Sequence, residues 1–111
     1  MNKLVQSLTE GDHPVTVGGS QPSLQDFQKR VQDMEYVLIK FPETQGGTDL
    51  GIRIDKNASD FSQADFEKGT GVAHVEGTLI LDYVKVRCVA DIELETLYGT
   101  GHLVVLEEVY P

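Results

Sequence analysis

With one cysteine, Cys88, in 111 residues, the chain cannot form an intrachain disulfide, and the fold rests on its hydrophobic core. Nowhere do enough apolar residues follow one another to span a bilayer. The start carries Lys3 but no apolar run resembling a signal sequence. A reducing, cytoplasmic setting is the expectation. Cations are scarce as well: 9 Lys and Arg stand against 18 Asp and Glu, a formal charge of -9. That balance repels phosphate backbones and anionic lipid, so neither direct nucleic-acid binding nor membrane attachment is expected. Its plain consequence is solubility, and its sharper reading is an acidic inhibitor that mimics nucleic acid before a basic partner.

Sequence motifs that carry chemistry are missing. The glycine pairs Gly18-Gly19 and Gly46-Gly47 belong to no phosphate loop, and no strand-to-helix G-x-G-x-x-G occurs. There is no G-x-S-x-G elbow, no H-x-x-H or H-E-x-x-H pair, and no D-x-D-x-D-G calcium loop. Tyr36, Tyr83, Tyr98 and Tyr110 are dispersed and lack the basic surroundings of a base-stacking surface. No cofactor, no metal and no catalytic residue is assigned from the sequence.

What the chain does have is alternation. From residue 84 to 95 the even positions read Val84, Val86, Cys88, Ala90, Ile92 and Leu94. The odd ones read Lys85, Arg87, Val89, Asp91, Glu93 and Glu95. Successive strand side chains point to opposite faces, so this is one strand with an apolar and a charged side. Cys88 falls on the apolar side and reads as a small core hydrophobe. Before Asp82 the apolar positions are odd instead, Ala73, Val75, Leu79 and Leu81. A two-residue hairpin loop at Asp82 and Tyr83 explains this switch and sets Thr78 opposite Arg87 and His74 opposite Asp91. A bulge in one bent strand is the alternative.

Residues 1–22, punctuated by Gly11, Pro14, Gly18, Gly19 and Pro22, read as a flexible arm with at most a short edge strand at residues 15–17. Residues 23–111 read as a single α+β domain. Ser23 is placed to cap a helix with Asp26 in its first turn, and Leu24, Phe27, Val31 and Met34 share one face. Residues 36–41 and 50–54 form a hairpin. Residues 56–71 are expected to hold a helical turn started by Ser62 and ended near Gly69, with Phe61 and Phe66 anchoring it; a mobile lid is the alternative. A turn is expected at Tyr98, Gly99, Thr100 and Gly101. After it, Leu103, Val104, Val105, Leu106, Val109 and Tyr110 supply apolar side chains to both faces of a last strand. The expected architecture is a curled antiparallel sheet of about five strands packed on one N-terminal amphipathic helix.

Three functional readings follow. The leading one is a small, non-catalytic binding or assembly protein that forms a homo-oligomer through its sheet or takes a protein partner. It is motivated by the apolar excess after residue 102. The second is a small-molecule-binding or catalytic cup with His74, Glu76, Asp91 and His102 as its polar groups, since an imidazole beside carboxylates can serve as a general base or metal ligand. The acidic inhibitor is the third. The row Asp91, Glu93 and Glu95 is spaced about 7 Å per alternate residue, too widely for one ion without a neighbouring strand.

Overall fold

The computed structural model describes residues 3–44 and 47–108. The chain is mainly antiparallel sheet with two short helices. In order these are α1 (Lys3–Thr9), β1 (His13–Val17), α2 (Leu24–Lys29) with a π-helical continuation (Arg30–Met34), β2 (Tyr36–Phe41), β3 (Thr48–Ile54), β4 (Ala64–Asp65), β5 (Thr70–Leu81), β6 (Val84–Glu93) and β7 (Tyr98–Glu108). There are seven strands rather than five. They run β3-β2-β1-β7-β6-β5-β4, and β3 also pairs with β5, so six of them close into a barrel. Closure pairs the two sheet edges at Arg53 with Thr78 and Ile54 with Gly77 and gives the alternating pattern its inside and outside.

Inside the barrel lie the residues that the alternation marked. Val84, Val86, Cys88, Ala90 and Ile92 of β6 are buried, as are Ala73 and Val75 of β5. Ile39, Phe41, Leu50, Ile52 and Leu103 meet them from the other strands. The β5–β6 hairpin has the expected register, with Leu81 opposite Val84, Thr78 opposite Arg87 and His74 opposite Asp91. Its loop residues Asp82 and Tyr83 both have positive φ, 49° and 63°. That is the primed turn whose twist matches the strands, here made without glycine. The β2–β3 hairpin is present, with Tyr36 opposite Arg53 and Phe41 opposite Thr48. Gly46, expected in its turn, lies outside the described residues.

The ends of the barrel are covered by the helices. Ser23 caps α2 as expected, its Oγ accepting from the Asp26 N–H at 3.1 Å. Phe27 and Val31 are buried. Met34 is not: the chain passes from α- to π-helical geometry at Arg30, and the wider turn rotates Met34 off the buried face. Phe27 and Phe61 both meet Phe66, at ring-centroid distances of 6.2 and 6.1 Å, which closes the α2 end. At the opposite end α1 lies beside Pro14, Phe41 and Thr44.

Four further expectations need correction. Residues 1–22 are not separate from the domain: Val5 and Leu8 of α1 and Val15 and Val17 of β1 are core residues, and β1 lies inside the sheet between β2 and β7. The glycines and prolines there separate short elements rather than prevent them. The helical turn expected from Ser62 starts later, after β4: the Gly69 N–H bonds the Asp65 carbonyl at 2.8 Å and Gly69 ends that turn at positive φ, while residues 55–68 otherwise turn on carboxylates. Asp55 accepts from Asn57 and Ala58, Asp60 from Ser62, and Asp65 from Glu67 and Lys68. Phe61 and Phe66 do pack on the core. The β6–β7 turn occupies residues 94–97, with Leu97 at positive φ, and the expected turn at residues 98–101 is strand. Gly99 is there because a Cβ would run into the Asp91 carbonyl, so it marks a close strand approach. Finally, β7 is covered on both edges only where β1 reaches it, and Val104 and Leu106 are exposed. Val109 and Tyr110 lie outside the described residues. Among the described residues no helix is long and apolar enough to cross a membrane.

Candidate functional site

The outer face of β5 and β6 carries a chain of opposite charges that begins with three of the four residues singled out in the sequence. His74 stands between two carboxylates: Asp91 Oδ1 is 2.8 Å from Nδ1, and Glu76 Oε2 is 2.7 Å from Nε2. An ionised carboxylate only accepts, so engaging both requires a proton on each ring nitrogen. The imidazolium is favoured accordingly. The bond to Glu76 raises the His74 pKa most, partial burial opposes it, and Asp91 raises it further. Glu76 also accepts from Arg87 Nη1 at 3.5 Å, and Arg87 donates to Asp55 Oδ2 at 3.2 Å. The Arg87 guanidinium holds the Asp55 carboxyl below its ordinary range.

Backbone contacts extend this chain to the loop after β3. His74 and Asp60 exchange N–H···O bonds at 2.9 Å in both directions. Ser59 Oγ accepts from the Glu76 N–H at 2.9 Å and donates to the Glu76 carbonyl at 3.2 Å. Asp60, whose own carboxyl is held low chiefly by Ser62, adds negative charge near His74. The cluster therefore fastens residues 55–60 along the edge of β5. Both imidazole nitrogens are spent on that task, and the group faces outward from a closed barrel.

His102 is not part of it. It lies on β7 opposite Val89 and pairs instead with Asp12, Nδ1 to Oδ1 at 3.1 Å. In the carboxylate row, Asp91 is engaged by His74, while Glu93 and Glu95 stand apart beside Gly71 and Val72. Among the described residues no group of three or more His, Cys, Asp or Glu is arranged to hold a metal ion. Cys88 is buried, and its thiol is pushed up to about 12 by burial.

Three participants escaped the sequence. Arg87 was placed by the hairpin register, but its reach to Glu76 is diagonal. Asp55 and Ser59 come from a loop whose position depends on β3 pairing with β5. No local pattern signals that contact.

A second feature lies where β3 and β5 separate. They pair only at Arg53 with Thr78 and Ile54 with Gly77, and below this they diverge around a cavity of about 640 Å³. The Ile54 N–H is turned to β2, bonding the Glu35 carbonyl, so by alternation the backbone groups of Asp49 and Gly51 face the gap. The Glu76 carbonyl bonds Asp55 across the closed part of the seam, so those of Ile80 face the gap from the other side. Tyr36 lies over Gly51, where a Cβ would run into its hydroxyl.

In comparison with known proteins, the chain matches no protein-family model and no curated protein.

Proposed function

We propose that the protein is a small, non-catalytic binding or assembly protein that associates with a second copy through the outer face of its sheet. The observation carrying this reading is the set of apolar side chains left exposed near the turn end of β5, β6 and β7. Ile80 and Tyr83 are about two-thirds exposed, and Val104 and Leu106 more than two-fifths. A closed barrel has already buried its inward residues, so these side chains have no further use within one copy. Two-fold pairing would set the same patch against itself. Leu106 sits at the irregularity where Lys85 pairs with Glu107 but Val86 with Val105, and this lifts the end of β7 out of regular register.

The cup reading has weaker support. His74, Glu76 and Asp91 do meet, yet each ring nitrogen already has a carboxylate partner, and the cavity between β3 and β5 is lined by other residues. The acidic-inhibitor reading has only the overall charge in its favour.

Light scattering at micromolar concentration tests the proposal. The expected result is a dimer that Val104→Lys with Leu106→Lys converts to a folded monomer. A wild-type chain that stays monomeric over the full concentration range overturns it.

A further inference from the structure

The gap between β3 and β5 is a broken seam in an otherwise closed barrel. Among the described residues no strand pairs with β3 along residues 48–52 on the side away from β2, or with residues 79–81 of β5 on the side away from β6. Backbone donors and acceptors of Asp49 and Gly51 on one wall, and of Ile80 on the other, are therefore left for a strand that is not part of the fold. An extended segment of about five residues spans this length at about 3.4 Å per residue. Sheet edges of this kind are completed by strand addition, in which the backbone supplies the affinity and alternate side chains the specificity.

The lining says which strand. Facing inward are Leu50, Leu79 and Leu81, which would receive apolar side chains at every second position. Facing outward are Asp49, Arg53 and Lys85. Neither Arg53 nor Lys85 forms an ion pair among the described residues, although carboxylates outnumber cations two to one in the chain. Two cations against the one carboxylate of Asp49 give the lining a small positive excess on a strongly acidic molecule, and Arg53 and Lys85 complement carboxylates on the outward positions of an incoming strand. The Tyr36 side chain fills the space over Gly51 that a Cβ would take, and so covers the outer face of this wall.

We propose that this seam binds an extended segment of a partner protein in which apolar and acidic residues alternate, the segment entering as an added strand between β3 and β5. The seam borders the exposed patch and shares Ile80 with it, while Val104 and Leu106 lie outside its lining, so peptide binding and self-association are read separately.

The test uses isotopically labelled full-length protein and two blocked peptides, one alternating glutamate with valine and the other lysine with valine. The glutamate peptide should shift the amide resonances of Gly51 and Ile80 in a saturable manner and bind at least tenfold tighter than the lysine peptide. Arg53→Glu with Lys85→Glu should reverse that preference, and methylating alternate peptide nitrogens should abolish binding. Light scattering of the same samples reports the subunit number separately. Equal binding of both peptides, shifts confined to other strands, or no saturable shift at millimolar peptide would overturn the proposal.

Discussion

Gly77 of β5 sits so close to the backbone carbonyl of Arg53 that no Cβ fits between them, and the Ile52 side chain blocks the same space. This contact is the short ladder through which β3 and β5 close the barrel. Backbone cannot move aside as the end of a long side chain can. Gly77→Ala should therefore destabilise the protein by about 2 kcal/mol or more, in the range of overpacked cores, and Gly77→Val by more. Gly51→Ala is the matched comparison, since what opposes it is the outer end of the Tyr36 side chain and not backbone. Urea unfolding of the three variants checks the order; a Gly77→Ala protein as stable as Gly51→Ala would show that closure does not depend on this approach.

The bond from His74 to Glu76 makes stability depend on pH in a direction that can be worked out. Its pKa in the fold is raised from the ordinary value of 6.5. The folded state therefore holds the proton more tightly than the unfolded chain does. The contribution is complete below 6.5 and is lost as pH rises through the folded value. Asp55 and Asp60 are shifted the opposite way, below 3.8, so their contribution holds above that value and disappears only in acid. Between about pH 5.5 and about pH 8.5 the wild-type urea midpoint should fall, and His74→Gln should flatten that slope. Amide exchange at residues 55–60 should quicken over the same interval.

How far the sequence foretold this arrangement depended on the range of the contact involved. Parity at Asp82 and Tyr83 was enough to place His74 beside Asp91, because hairpin pairing follows from neighbours in the chain. The Ser23 cap was legible for the same local reason. Barrel closure was not, since Gly77 meeting Arg53 joins strands separated by an irregular loop, and nothing in either segment names the other. Met34 was misplaced because periodicity assumes α-helical geometry up to the last residue. β1 was undervalued because Pro14 and the flanking glycines look like breakers, although Val15 and Val17 needed only a short strand to reach the core. Of the candidate cluster, His74, Glu76 and Asp91 shared one hairpin and came together. His102 answered to a different neighbour, Asp12.

Cys88 should behave as packing rather than chemistry. Burial raises its thiol to about 12, and no cationic partner offsets that cost. In native buffer at neutral pH a thiol-reactive disulfide reagent should modify it far more slowly than it modifies the urea-unfolded chain. Cys88→Ala should leave the fold intact while costing about 1 kcal/mol for the lost sulfur contacts. Rapid native labelling would mean that the barrel interior opens readily.

The Asp82-Tyr83 turn holds two non-glycine residues in left-handed geometry. Aspartate tolerates that region through its short polar side chain, but a left-handed tyrosine costs about 1–2 kcal/mol in backbone sterics. Within one copy the Tyr83 side chain is mostly exposed, so in the monomeric Val104→Lys, Leu106→Lys background, where the comparison is made, it recovers little of that by burial. Tyr83→Gly removes the steric cost and adds about 0.5–1 kcal/mol of unfolded-chain entropy, leaving a net stabilisation of about 0.5–1 kcal/mol. Tyr83→Ala separates the backbone from the side chain, because alanine keeps the Cβ and with it the strain. Thermal unfolding should thus show Tyr83→Gly above that background and Tyr83→Ala level with it or below. Should both variants gain equally, the benefit would come from deleting an exposed ring, and the turn would not be strained.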